Sequence, residues 1–321
     1  MLMNLSINPS YYCNFRCDFC YLTEEQLSDR TRLPIDKLYE RISEVAQHAE
    51  IGTVDLYGGE VGLLPKSYIQ EMKGVFQAFG LDDINIITNL SMVNDIILDP
   101  DFYVTVSYDF EARESSDLVW KNMALLPKEF SILILASPKV LQMDVDHMIQ
   151  QLNLLSNLVS VEIKPYSSNQ ANDHNISDKQ FEDFVMLWLE KLNSMRFEFV
   201  NLKRIENSAK LQANSFSDDH VYITPSGNFG VLEFDSDDNE YFWELDSFER
   251  YLDWSVEEQH LVSQNKYCGQ CKYFGNCLSE HLREVKSLDQ SCNGFINLIE
   301  WYNGRMANSS GDLSSDTQES R

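Results

Sequence analysis

Leu5-Ser6-Ile7-Asn8 is a short β-forming run, and runs of the same kind recur at Thr53-Val54-Asp55-Leu56-Tyr57, Ile84-Asn85-Ile86-Ile87, Tyr103-Val104-Thr105-Val106, Ile132-Leu133-Ile134-Leu135 and Val159-Ser160-Val161-Glu162-Ile163. Between them lie segments with apolar residues at helical spacing, such as Leu38, Ile42 and Val45, or Met148, Ile149, Leu152 and Leu155. A strand followed by a helix, repeated about every thirty residues, is the pattern of parallel strands joined by helical crossovers. It predicts an α/β fold, a partial (β/α)6 TIM-like barrel or a fully closed one.

After Ile163 the pattern changes. Phe181, Phe184, Val185, Trp188 and Leu192 mark a long amphipathic helix, Val221 to Phe234 reads as a hairpin, and Leu245, Phe248 and Leu252 mark an acidic, aromatic helix. A boundary near residue 200 follows, with the barrel over residues 1–200 and a smaller α+β domain over 201–304. Residues 305–321, rich in Ser, Asn, Asp and Gly, have almost nothing to bury and are expected to be disordered.

The 321 residues are 43% hydrophobic and 12% aromatic, enough for a sizeable core. The longest apolar run, Phe184 to Leu189, is far too short to span a bilayer, and no basic stretch precedes an apolar one at the start. Both facts point to a cytoplasmic protein without a membrane partner. Fifty-one acidic residues against 25 Lys and Arg leave a formal charge of −26, which repels a phosphate backbone and argues against nucleic acid. Glu206 to Glu258 holds fourteen of the acids and only Lys210 and Arg250 as bases. That segment is either a solvated face or a docking surface for a basic peptide.

Seven cysteines, an odd number in a cytosolic chain, fit metal or catalytic work better than a disulfide framework. They fall into two sets. Cys13, Cys17 and Cys20 lie in Cys13-Asn14-Phe15-Arg16-Cys17-Asp18-Phe19-Cys20, soon after the first strand, where βα folds place their chemistry. Three thiolates can hold three irons of a 4Fe-4S cubane and leave the fourth iron open. Zinc completed by a histidine is the alternative, but the nearest, His48, falls on a predicted helix away from the loop. The second set, Cys268, Cys271, Cys277 and Cys292, saturates a metal, and its spacing alone suits structural zinc as well as a cluster.

The spacing CxxxCxxC, with Phe19 before the last cysteine, resembles the signature of the radical S-adenosylmethionine (SAM) superfamily, and Gly58-Gly59-Glu60 at the end of the second strand resembles its GGE motif. The resemblance covers roughly residues 5 to 165. It implies that SAM chelates the open iron, that an electron from the cluster cleaves it, and that a 5'-deoxyadenosyl radical abstracts a substrate hydrogen. It implies bare glycine backbone at Gly58 and Gly59 against the methionyl part of SAM, with Glu60 accepting from its ammonium. Thr88-Asn89 resembles the family's TNG with Leu90 in place of glycine, and Ser107-Tyr108-Asp109-Phe110 its SxDG with Phe110 in place of glycine. Asn89, Ser107, Phe19 near the adenine and Pro165 beyond the sixth strand complete the implied SAM contacts. Asn89 and Ser107 would equally serve as helix caps and Phe19 as core packing, and Asp109 is a candidate for local structure only.

Cys268-Gly269-Gln270-Cys271 through Cys277 resembles the CxxCx5C segment of the SPASM and twitch extensions of these enzymes, which hold auxiliary 4Fe-4S clusters. Ile223-Thr224-Pro225-Ser226-Gly227 resembles their hairpin and Glu244 to Phe248 their lead-in helix. His281 stands where a further cysteine would be expected, and Leu232 where the hairpin cysteine would fall. One auxiliary cluster is therefore implied beside the SAM-binding one, with His281 as at most a stray ligand. No thiol is left over to return a hydrogen atom, which disfavours epimerisation and favours a net oxidation. The resemblance implies a peptide or protein substrate, as in maturation of ribosomally made peptides by crosslinking, and a low-potential donor such as flavodoxin or ferredoxin; the acidic Glu206 to Glu258 segment and the fifteen tyrosines suit a basic, extended peptide. The first strand begins within five residues of Met1, so leader recognition is expected from a separate protein or the C-terminal domain. Oxidation of a small molecule, formylglycine formation, and a noncatalytic metal-stabilised scaffold or electron carrier are the alternatives.

Overall fold

The computed structural model describes residues 2–166, 171–172, 174–216, 218–232, 242–279, 292 and 294–312. All six runs are strands: β1 (Leu2–Ile7), β2 (Glu50–Leu56), β3 (Ile84–Thr88), β4 (Tyr103–Ser107), β5 (Phe130–Leu135) and β6 (Leu158–Lys164). The helices among them are α1 (Glu24–Ser28), α2 (Ile35–His48), α3 (Lys66–Ala78), α4 (Ser116–Leu125), α5 (Val145–Leu152) and α6 (Asp178–Leu189). Their starts follow local chemistry. Thr23 and Gln26 form a capping box at α1, Ser177 and Gln180 another at α6, and Asp144 caps α5.

The βα repeat has one gap, because no helix joins β3 to β4. Asn94 there accepts from the N–H groups of Ile96 and Ile97 at 3.1 and 3.3 Å, a side-chain turn that competes with helix formation. A further strand, β7 (Glu198–Phe199), leads into α7 (Val200–Ala209), followed by β8 (His220–Ile223), β9 (Phe229–Leu232) and β10 (Phe242–Leu245). The sheet runs β10-β9-β8-β1-β2-β3-β4-β5-β6-β7 and is not closed. Strands β1 to β8 are parallel to their neighbours, and only β8-β9-β10 is antiparallel.

The expected hairpin is thus present as β8–β9, and β8 pairs directly with β1, so the sheet continues across residue 200. Leu245 ends a strand where a helix was expected; α8 (Phe248–Ser263) starts later, capped by the Ser247 side chain. Leu192 lies beyond α6, in a short 3-10 turn. Residues 305–312, expected to be disordered, belong to α9 (Ile296–Asp312). Buried Glu182 of α6 holds the start of α9, accepting from the Asn297 N–H at 3.0 Å and its Nδ2 at 2.6 Å. His281 and Phe234 lie outside the described residues.

The two faces of the sheet differ. Leu5, Ile7, Val54, Leu56, Ile86, Val106, Ile134 and Val161 are buried in one core with Leu38, Ile42 and Val45 of α2 and Met72 and Phe76 of α3. Several of the alternate positions are polar and bond one another. Asn85 donates to Asp55 at 2.7 Å, Thr105 to Asn85 at 3.1 Å, and Ser131 and Ser160 are 2.7 Å apart. A closed barrel fills its centre with apolar layers; this sheet sets hydrogen-bonded polar side chains among the residues of its inner face.

Candidate functional site

The cysteine loop leaves the C-terminal end of β1, and its stem lies against the turn after β2. Gly59 N–H donates to Ser10 O at 3.0 Å and Glu60 N–H to Tyr12 O at 2.9 Å. A Cβ on Gly59 would stand 2.2 Å from Tyr12 O and 2.4 Å from Tyr11 O. The glycine is therefore required by the cysteine loop itself. Gly58 has φ +131°, a region that favours glycine.

Glu60 is 3% exposed. One carboxylate oxygen accepts from Gly62 N–H and Thr88 Oγ1, the other from Asn89 N–H, all at 2.7 Å. Burial pushes its pKa up, and the three donors oppose that shift. The Asn89 side chain then reaches the loop, donating to Asn14 Oδ1 at 3.1 Å and standing 3.6 Å from Cys13 Sγ. Glu60, Thr88, Asn89 and Cys13 form one connected network. Asn89 was expected as a SAM contact or cap; the structure places it between the GGE turn and the cysteine loop.

Leu90 and Phe110 stand where the resembling motifs carry glycine, and both have positive φ, 50° and 51°. The backbone shape survives without glycine because neighbours hold it. Leu90 N–H donates to Thr88 Oγ1 at 2.9 Å and Leu90 O accepts from Asn122 at 2.9 Å, while the Phe110 ring packs 4.9 Å from Tyr108.

Asp109 is fully buried and accepts from Leu135 N–H at 2.6 Å and from Arg113, whose Nη2 lies 2.6 Å away. Burial raises the Asp109 pKa, and Arg113 opposes it. The Arg113 guanidinium lies over the Phe19 ring, 5.4 Å from its centroid, and its Nη1 is 3.8 Å from Cys17 Sγ. Sequence reading missed this cation beside the thiols. Its spacing of four from Asp109 was the available signal. Phe19 is buried in the core cluster. Ser107 ends β4, and Pro165 follows β6 and lines a small cleft with Phe181, Leu278 and Phe295. Ser107 and Pro165 take no part in the Glu60 network.

The residues present suit a thiolate-bound cluster. At Cys13 the N–H two positions on, that of Phe15, points at the sulfur at 3.4 Å, and the same turn recurs at Cys271 with Tyr273 (3.4 Å) and at Cys292 with Gly294 (3.3 Å). Each set is electrostatically coupled. Cys20 is pushed up to about 11 by burial, with Cys17 and Cys13 adding to it. Cys268 likewise reaches about 11 through burial and then Cys277, Cys292 and Cys271. Cys277 Sγ lies 3.0 Å, and Cys292 Sγ 3.6 Å, from where a Cβ on Gly294 would stand, so this glycine lets two of the thiols approach. Among the described residues no three His, Cys, Asp or Glu converge as ligands of a single ion do.

Among the described residues no helix is long and apolar enough to cross a membrane. No protein-family model and no curated protein sequence matches the chain. Solved structures do. The structure of anSMEcpe, an anaerobic sulfatase maturase, with bound AdoMet and Cp18Cys peptide is 15% identical, with TM-score 0.68, covering 98% of this chain and 100% of that one. Streptococcus suis SuiB bound to precursor peptide SuiA is 14% identical, with TM-score 0.65, covering 89% of this chain and 73% of that one. At these identities the likeness is one of fold: the chain has the fold of radical SAM maturases.

Proposed function

We propose that the chain is a radical SAM enzyme that oxidatively modifies a peptide, with one SAM-binding and one auxiliary 4Fe-4S cluster. The network joining Glu60, Thr88 and Asn89 to Cys13 carries the reading, because it ties the GGE turn, the end of β3 and the cysteine loop into one buried unit. Cys13, Cys17 and Cys20 would hold the first cluster, and Cys268, Cys271, Cys277 and Cys292 the second. When bound, the first cluster supplies the electron that cleaves SAM to a 5'-deoxyadenosyl radical.

The chain's own residues position and tune. Gly59 lets the loop stem close, and Glu60 retains acceptor capacity for the SAM ammonium. Phe15 N–H, Asn89 Nδ2 and Arg113 Nη1 face the sulfurs, an arrangement that stabilises thiolate charge. Ser107 at the end of β4, Phe19 in the cysteine loop and Pro165 after β6 would line the adenosine. Bound peptides in the anSMEcpe and SuiB structures support a peptide substrate. A cytoplasmic setting, a flavodoxin or ferredoxin as donor and a separate leader-binding protein complete the proposal. The likeness to a sulfatase maturase favours formylglycine formation as the second reading.

Anaerobic reconstitution tests it. About eight irons per chain are expected, together with 5'-deoxyadenosine from SAM and dithionite. A loaded N-terminal cluster that leaves SAM intact would refute the enzyme reading. About four irons with zinc at the C-terminal cysteines would remove the auxiliary cluster alone.

A further inference from the structure

Asn8 is the first residue beyond β1, and its backbone N–H donates to Ile223 O at 2.8 Å, so it continues the pairing with β8. Alternation along the strand sets it on the same face as Ser6, the inner face of the sheet. Its side chain is fully buried, yet neither Oδ1 nor Nδ2 has a hydrogen-bond partner among the described residues. Other polar groups of this face find one another: Asp55 with Asn85, Ser131 with Ser160, and Ser6 Oγ with His220 Nε2 at 2.6 Å. A buried amide with neither its donor nor its acceptor used is rare and weakens a fold, since a leucine of similar size would lose nothing.

The position of this amide narrows what it could bind. A Cβ on Gly58 would lie 3.1 Å from Asn8 Oδ1, so the amide abuts the glycine turn. The SAM contacts proposed above run from that turn toward β6. Asn8 sits on the opposite flank, between β2 and β8, where the rings of Tyr57 and Tyr222 are 6.3 Å apart. A ligand met there is a second one, beside SAM. A carboxamide offers one donor and one acceptor side by side, which a backbone peptide unit matches with two parallel hydrogen bonds. We infer that Asn8 recognises the substrate, its Nδ2 donating to a peptide carbonyl and its Oδ1 accepting from a peptide N–H. The inference rests on the reading of the chain as acting on a peptide.

The test compares reconstituted wild-type protein with Asn8→Leu, using immobilised protein and a pool of acetylated, amidated random decapeptides, with mass spectrometry of what is retained in the presence of SAM. Wild-type protein is expected to enrich peptides, and Asn8→Leu to enrich them at least ~10-fold less, the loss of two hydrogen bonds to a neutral partner. The variant should bind SAM within about twofold of wild type and unfold at the same or a higher temperature. Equal enrichment by Asn8→Leu would overturn the inference. So would a parallel loss of SAM affinity, which assigns the amide to SAM, or a clear fall in unfolding temperature, which gives it a structural partner. If wild-type protein enriches nothing, the peptide reading itself fails.

Discussion

Gly59→Ala isolates what the glycine turn is for. Gly59 lies outside the left-handed region, so alanine brings no dihedral strain and the effect is purely steric. Its Cβ would stand 2.2 Å from Tyr12 O and 2.4 Å from Tyr11 O, at least ~1 Å inside the separation at which non-bonded atoms rest. Both contacts are backbone, so no side-chain rotation relieves them, and the turn must move off the loop stem. That breaks Gly59 N–H to Ser10 O and Glu60 N–H to Tyr12 O, at about 0.5–1.5 kcal/mol each, and displaces Glu60 from donors whose charge-assisted bonds are stronger. The expected loss is about 2–4 kcal/mol, with poor iron loading. Urea denaturation of the metal-free protein without SAM measures it. Gly74→Ala in α3, where an added Cβ meets nothing within 4 Å, is the control and should gain up to about 1 kcal/mol. If metal-free Gly59→Ala unfolds within about 0.5 kcal/mol of wild type and loses only SAM affinity, the glycine serves the cofactor and the packing argument is wrong.

Arg113→Leu should cost about 3–5 kcal/mol in denaturant unfolding, because it strands the buried Asp109 carboxylate. Adding Asp109→Asn should recover part of that, and an equal loss in both variants would show that the charge pair is not the cause. Burial alone would raise Asp99, but Lys73 at 2.8 Å and the Asp101 N–H hold it below the usual carboxylate range. A lowered folded pKa gives stability that is present above the unfolded value and lost as pH falls through the folded one. Lys73→Met should therefore flatten the acid limb of a stability curve below about pH 4, by roughly 1 kcal/mol. An unchanged acid limb would refute the assignment. Cys17→Ala should abolish 5'-deoxyadenosine formation, whereas Cys271→Ala should retain some and lose peptide product. Equal activity in both would contradict the division of labour between the two cysteine sets.

The strands were legible as short β-forming runs lying between helical runs of a different period, several of them alternating a buried apolar position with a polar one, as in Val104-Thr105-Val106 or Phe130-Ser131-Ile132. Leu245 was misread because the four residues of β10 show almost no period of their own. They are held by pairing with β9, and Glu244 there accepts from Thr224, Ser226 and Asn228 of the preceding turn. The missing helix before β4 follows from Asn94, whose competing turn no periodicity reveals. Leu90 and Phe110 broke the glycine motifs in sequence, yet their backbones keep positive φ. Burial, the Thr88 and Asn122 hydrogen bonds at Leu90 and the Tyr108 ring at Phe110 hold them, none of which a motif read position by position records. Arg113 was hidden for a related reason, since its partners Phe19 and Cys17 lie about a hundred positions earlier.

The Glu60 carboxylate has room both for the hydrogen bonds it accepts in the structure and for the ammonium contact that the resemblance implies. A carboxylate offers about four lone-pair sites. The oxygen facing Gly62 N–H and Thr88 Oγ1 is filled by two donors, whereas the one facing Asn89 N–H carries a single donor. The structural clamp therefore leaves one acceptor direction, on the oxygen nearest the Asn89 link to Cys13. An ammonium bound in that direction would complete the carboxylate and offset the burial that raises its pKa. It would do so on the side of Glu60 from which the network runs to the first cysteine. The loop that would hold the cluster and the group that would hold the cofactor then share one buried charge, and ordering either favours the other.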